Sequence, residues 1–187
     1  GIETRWIKGI DGGGTLAQVF LNEVEVPVEQ LVHKENEGWT VAKHLLGHER
    51  HGQAAIGNCK FLLMLLKRLI ARSTGGAALR RRAASLEIRL QAHEWTLLRL
   101  MSTTSGGAAY SMLKNQGAVM QQDLVELMLE CANRDLVQPR ARDSDHVDHD
   151  LPTAQAIAAT YLDLRKVSIF AGTTEVQNNI IAKALLA

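Results

Sequence analysis

Ser168-Ile-Phe-Ala-Gly-Thr-Thr-Glu-Val-Gln177, followed by Asn179-Ile-Ile-Ala-Lys183, decides how this chain of 187 residues is read. Small and hydroxyl residues stand there between two amphipathic segments of helical spacing. The chain must turn tightly between them, leaving several backbone N–H groups free. Gly172 allows close backbone approach, and Thr173 and Thr174 are suited to cap the helix that follows. On these residues alone, an ordinary helix–loop–helix joint accounts for the pattern. A row of N–H donors at a helix start is also suited to a phosphate or a developing oxyanion.

Upstream of that joint the chain reads as helical back to Gly38. A helix-compatible stretch runs from Gly38 to about Ala71, with Gly47, Gly52 and Gly57 inside it; they lower helix propensity but permit close approach of a backbone or ligand. A second helix fits Leu79 to about Met101, with Leu86, Leu90, His93, Leu97 and Leu100 on one stripe. A third fits Ala108 to Cys131, with Met120, Leu124, Leu127, Met128 and Cys131 on a common face. Residues 133–150 are polar, contain Pro139 and read as a long surface loop. A fourth helix starts near Pro152, placed at a first-turn position, and runs to Lys166. The last covers Thr174 to Leu186.

One-sided stripes must be buried against one another, and an antiparallel up-down four-helix bundle is the simplest solution. The first part of the chain differs. Ile2 to Ile10 and Thr15 to Leu21 read as strands around the turn Asp11-Gly-Gly-Gly14. Val24, Val26 and Val28 alternate with glutamates, but Pro27 demotes that run to an edge strand or an exit from the sheet. The fold class is therefore mainly α with a short N-terminal β segment: residues 1–33 are the terminal strands of an incomplete β-domain, and 34–187 the helical bundle. So little sheet is not independently stable and must dock on the helices or on further chain.

Composition agrees with packed helices. Hydrophobic residues make up 46% and aromatics only 4%, so the core is built from Leu, Ala, Ile, Val and Met. A net charge of +1 argues against nucleic acid as the main partner. Cys59 and Cys131 are too few and scattered for a disulfide framework or a Cys-based zinc site, and a reducing, cytoplasmic compartment is expected. Phe61 to Leu66, the longest apolar stretch, ends at Lys67-Arg68 and cannot span a bilayer.

Three groups of residues bear on chemistry. Glu49 and Arg50, in Gly47-His-Glu-Arg50, offer a carboxylate base and an orienting cation; without further information a solvated surface pair is the simpler account. Asp143, Asp145, His146, Asp148, His149 and Asp150 contain metal-ligand types, but nothing fixes their geometry, and a surface loop without a metal is expected. Arg80-Arg-Arg82, Lys114 and Lys183 read as solvated helix faces, and Trp39 and Trp95 as core or interface packing.

Three blocks resemble the acyl-CoA dehydrogenase family in order and spacing. The first joins Ile10-Asp-Gly-Gly13, Phe20-Leu-Asn-Glu-Val-Glu-Val-Pro27 and Glu35-Asn-Glu-Gly-Trp-Thr-Val-Ala-Lys43 to Gly47-His-Glu-Arg50. The second runs from Leu86-Glu-Ile-Arg-Leu90 through Glu94-Trp-Thr-Leu-Leu-Arg99 to Ser111-Met-Leu-Lys114 and Gly117. The third is Tyr161 through Lys183. The resemblance implies the end of a middle β-domain followed by the C-terminal bundle of a longer enzyme. Such a portion by itself is expected to bind FAD weakly or not at all and to be inactive.

The activity implied is FAD-dependent α,β-dehydrogenation of an acyl-CoA thioester, of the fatty-acid β-oxidation type. An electron-transferring flavoprotein is the implied acceptor, and a homodimer or homotetramer the implied assembly. In much of the family the base is a Glu just before the Gly-Thr of the last motif, where this chain has Ala171. In the isovaleryl- and long-chain-type branches it lies earlier, directly before an Arg, and that match falls on Glu49. The resemblance then makes Arg50, Ala171 and Gly172 substrate-binding, with the Ala171 N–H on the thioester oxygen. It makes Thr173, Thr174, Glu175 and Gln177 flavin-binding.

Two family motifs are missing. Arg-x-x-Phe-Gly is replaced by Ala71-Arg-Ser-Thr-Gly-Gly-Ala77, and Gln-x-x-Gly-Gly by Glu130-Cys-Ala-Asn133. A non-catalytic helical assembly subunit that does not bind FAD is the alternative these losses leave open.

Overall fold

The computed structural model describes residues 1–72, 76–103, 107–132 and 152–186; the side chains of His48, Arg50, His51 and Arg72 lie outside what is described. Strands β1 (Ile2–Ile7) and β2 (Leu16–Leu21) form an antiparallel hairpin with Ile2 opposite Leu21 and Ile7 opposite Leu16. Gly12, at φ +83°, turns the chain between them. Large apolar side chains on the ribbon, among them Trp6, Leu16 and Leu21, are exposed. Lys166 reaches the hairpin end from the helical part, donating to Thr15 Oγ1 at 3.2 Å and to Asp163 Oδ1 at 2.6 Å. Of the two roles left open for the run around Pro27, the exit from the sheet is the one seen among the described residues: Val28–Gln30 is a short 3₁₀ turn and pairs with neither strand.

Six α-helices follow among the described residues: α1 (Gly38–His48), α2 (Ile56–Arg72), α3 (Gly76–Met101), α4 (Gly107–Cys131), α5 (Ala154–Asp163) and α6 (Thr174–Leu186). Helix α4 is the hub, in contact with α2, α3, α5 and α6. Its sequence explains this: Leu113, Ala118, Met120, Leu124, Val125, Leu127 and Met128 are all buried, so apolar positions occupy more than one face. Helix α2 offers Cys59, Leu62, Leu66 and Ile70 to the core and α3 offers Ala83, Leu86 and Leu90, each at three-and-four spacing.

Ion pairs reveal helix direction. Lys60 pairs with Glu94 and Lys67 with Glu87, so α2 and α3 run antiparallel. Arg82 with Glu130 and Arg89 with Asp123 do the same for α3 and α4. These exposed pairs are each worth about 0–1 kcal/mol and select register more than they stabilise. Asn115 to Asn178 and Gln122 to the Leu164 carbonyl tie α4 to the returning C-terminal run.

The single helix expected from Gly38 to Ala71 is in fact two. A 3₁₀ segment, Glu49–Ala54, separates α1 from α2, and Ala55 sits at φ +54°. Helix α5 likewise begins two residues later than Pro152 suggested, because Thr153 is the cap and accepts the Ala156 N–H at 3.1 Å. Trp39 and Trp95 are not core residues; they are 70% and 71% exposed.

Candidate active site

The C-terminal bend is built from two successive left-handed residues, Ala171 at φ +55° and Gly172 at φ +92°. For alanine this conformation costs roughly 1–2 kcal/mol, so surrounding contacts must impose it. At Gly172 a Cβ would lie 2.2 Å from Gln177 Nε2, so the glutamine folds back over the bend and would have to swing away from any side chain there; the positive φ is what favours glycine. Thr173 caps α6 by accepting the Val176 N–H at 3.3 Å. Thr174 Oγ1 donates to the Ser168 carbonyl at 3.3 Å and closes the loop. The Glu175 carboxyl is held below the usual carboxylate range by its own backbone N–H, then by the Thr173 hydroxyl, with the Lys114 charge adding to both. The helix start is thus less open than the sequence suggested, since its own side chains already take up part of its donors.

The turn carrying Glu49 is fixed from below. Ala54, its last residue, is fully buried. Its carbonyl accepts a hydrogen bond from His93 Nε2 at 2.8 Å, which makes Nε2 the protonated nitrogen of that ring. His93 is itself 2% exposed. Across the same carbonyl stands Gly117 of α4, where a Cβ would lie 2.4 Å from the Ala54 oxygen. Helix α4 therefore approaches this turn backbone to backbone. The long helix predicted from sequence breaks here because His93 and Gly117 hold a carbonyl that a continuous helix would need. The glycines thought to permit close approach, Gly47, Gly52 and Gly57, face open space instead.

Between the turn and the bend lies a cleft of about 390 Å³. Leu46, Glu49 and Gln53 line it from one side, Ala171, Gly172 and Gln177 from another, and α4 contributes Tyr110, Ser111 and Lys114. Of the residues expected to act together, Glu49, Ala171, Gly172 and Gln177 share this cleft. Thr173, Thr174 and Glu175 adjoin it at the start of α6 without lining it, and the Arg50 side chain lies outside the described residues. The Glu49 side chain is exposed, so the described residues do not supply the dry surroundings that favour a carboxylate base.

Lys114 was expected on a solvated face and is not. It is 4% exposed, and among the described residues its Nζ has no hydrogen-bond partner. Burial pushes its pKa below the ordinary lysine value, with Glu175 opposing the shift. The sequence did hold a signal for this position: Gly117, Ala118 and Gln121, at i+3, i+4 and i+7, form the packed side of α4, and Lys114 is on that side.

An unpaired buried ammonium is costly, so Lys114→Met is expected to stabilise the free protein by about 1–3 kcal/mol. The sign with pH follows from the depressed pKa. Between that lowered value and the ordinary lysine range the unfolded chain binds more protons, so the wild type gains stability as pH rises. Paired melting curves are expected to show the Met variant's advantage shrinking toward alkaline pH; a constant gap would contradict the assignment.

The cleft suits a ligand bearing acceptor atoms, because Lys114 Nζ is unpartnered and the Gly172 backbone carries no side chain. Among the described residues no group of three or more His, Cys, Asp or Glu is placed to hold a metal ion; the 143–150 cluster lies outside them. No described helix is long and apolar enough to cross a membrane.

Comparison with known proteins gives consistent results. Residues 36–186 match the family model described as acyl-CoA dehydrogenase, C-terminal domain. Acyl-CoA dehydrogenase FadE34 of Mycobacterium tuberculosis is 29% identical over 204 aligned positions, covering all of this chain and 25% of that protein. Among solved structures, the Tcur3481-Tcur3483 steroid ACAD superposes with a TM-score of 0.75 at 21% identity, over all of this chain and 48% of that one. The ChsE4-ChsE5 complex of Mycobacterium tuberculosis gives 0.74 at 18% identity, over the whole of this chain and 50% of the other. The glutaryl-coenzyme A dehydrogenase glutaryl-CoA complex gives 0.74 at 18%, over 100% and 47%. At these identities the structural matches establish the fold alone. The chain spans about a quarter of the curated relative and about half of each solved structure.

Proposed function

Since this chain belongs to the acyl-CoA dehydrogenase family, we propose that its cleft is the acyl-CoA site of a flavin-dependent α,β-dehydrogenase, with Glu49 as the base. One observation carries this: Glu49 and the Ala171–Gly172 bend, far apart in sequence, line the same cleft. The bend bears alanine where much of the family bears its carboxylate, and Glu49 is the carboxylate that faces that cleft.

In this reading the Glu49 carboxylate takes the α-proton, and the Ala171 N–H donates to the thioester oxygen, where negative charge gathers as the proton leaves. Arg50, directly after the base, orients it or the substrate. Clamping of the turn by His93 and Gly117 keeps Glu49 in register with the bend, because a small misplacement of a reacting group costs rate steeply. Thr173, Thr174, Glu175 and Gln177 would hold FAD. The threonine hydroxyls at the capped start of α6 and the Gln177 amide over Gly172 are polar groups that fit such a group, the Thr173–Glu175 contact giving way to it. When bound, FAD supplies the acceptor for the hydride leaving the β-carbon. Helices α2, α3 and α4 with the α5–α6 run would form the family's up-down four-helix bundle, and residues 1–33 would belong to its β-domain. Assembly as a homodimer or homotetramer and an electron-transferring flavoprotein as acceptor are parts of the same proposal.

Anaerobic titration of the native, FAD-loaded polypeptide with acyl-CoA thioesters of graded chain length tests it. Loss of visible flavin absorbance with at least one of them is expected. A yellow protein that no acyl-CoA bleaches would contradict the proposal.

A further inference from the structure

An ammonium withdrawn from water without a partner is strongly disfavoured, so native proteins keep one only where something else requires it. Lys114 is such a group, and it lines the cleft together with Glu49, Ala171 and Gly172. It projects from α4, whose packing on four other helices presents the side chain from a rigid element. Glu175 is close enough to act on it through space, yet that carboxylate is engaged by its own N–H and by the Thr173 hydroxyl. The ammonium is left with its donors unused, beside the residues proposed to do chemistry.

We propose that Lys114 is a further ligand-binding residue of the cleft: its ammonium donates to the carbonyl oxygen of a bound thioester and holds the negative charge that arrives there when the α-proton leaves. This rests on the reading of the cleft as an acyl-CoA site with Glu49 as base. The step balances without an oxidant. The α C–H bond breaks, its proton passes to the Glu49 carboxylate, and its electron pair becomes the new C=C bond of an enolate whose oxygen carries the charge. The negative charge thus moves from Glu49 to the ligand inside one cleft. A desolvated cation there acts on it more strongly than a solvated one. The burial that makes Lys114 a poor ammonium in the free protein is reversed in effect once an anionic oxygen arrives.

Acetoacetyl-CoA is a suitable probe, because its acidic methylene lets the bound enolate be read from ultraviolet absorbance with no hydride transfer. The native, FAD-loaded polypeptide is expected to bind it and raise the enolate fraction. Lys114→Met is expected to lower enolate affinity by roughly ten- to a hundredfold, the size of a charge-assisted hydrogen bond, while leaving affinity for CoA without an acyl group unchanged. Lys114→Arg restores part of the loss.

Equal enolate affinity in the wild type and Lys114→Met overturns the proposal, as does an equal loss for CoA itself, which marks a purely structural lysine. If the wild type binds neither compound, the acyl-CoA reading falls, and this proposal with it. If the Met variant does not fold, acetic anhydride labelling of wild-type Lys114 decides. Protection by acetoacetyl-CoA but not by CoA supports the assignment, and equal labelling with both refutes it.

Discussion

Glu49→Gln in the native, FAD-loaded polypeptide is expected to abolish acyl-CoA-dependent bleaching while leaving the protein yellow. Removing a positioned base costs on the order of 10²–10⁴-fold in rate, and among the described residues no other carboxylate lines the cleft to take its place. Glutamine keeps the shape and removes the proton acceptor. Retained colour therefore separates loss of chemistry from loss of fold. Glu49 is the last contact of α1, its N–H bonded to the Leu45 carbonyl, and that backbone bond survives the change. Anaerobic stopped-flow absorbance is the measurement. Bleaching at the wild-type rate would remove Glu49 from the mechanism.

Gly117→Ala is expected to destabilise the fold, because the added methyl group meets backbone and not a flexible side chain. Two effects compete. Alanine gains about 1 kcal/mol of helix propensity over glycine. Its Cβ, however, would lie 2.4 Å from the Ala54 oxygen and 3.0 Å from the Ala54 carbon, and both are backbone atoms held by a buried histidine. Forcing such an approach costs about 1–3 kcal/mol or more, so the clash prevails. A fall in melting temperature of about 3–8 °C is the expected reading. Gly57→Ala is the control: it lies in α2 with nothing near its added methyl, and its melting temperature is expected to hold or rise slightly. If both variants behave alike, the close approach of α4 to the Glu49 turn is wrong.

The two substitutions also mark what was legible in the sequence. The start of α6 at Thr174 was readable because its cues are local: a glycine that must turn, a threonine that caps, an amphipathic run after them. The stripes on α3 and α4 were readable for the same reason: Leu86, Leu90, His93, Met120, Leu124, Leu127 and Met128 are buried as their spacing implied, while Leu97, Leu100 and Cys131 at the ends of the stripes are half-buried. The break between α1 and α2 was not, because it depends on His93 and Gly117, which lie far along the chain. Low helix propensity at Gly47, Gly52 and Gly57 hinted at weakness but did not locate it.

The candidate site divides along the same line. Glu49 and Gly172 were noticed from their local sequence, but a surface pair and a plain joint were the simpler accounts; their roles, and Ala171 altogether, came from resemblance to a family. Lys114 was misplaced because a lone lysine on a helix is usually solvated, and periodicity says which face it occupies without saying what meets that face. Of the two roles expected for Trp39 and Trp95, core packing is excluded, since both are exposed: their size suggested burial, yet neither falls on a packed stripe.

The most direct test of the central claim is a crystal structure of the native, FAD-loaded polypeptide with an unreactive acyl-CoA analogue. The carboxylate of Glu49 is expected within proton-transfer reach of the α-carbon, and the thioester oxygen against the Ala171 N–H. A different carboxylate at the α-carbon, or an analogue bound away from the Ala171–Gly172 bend, would contradict the account.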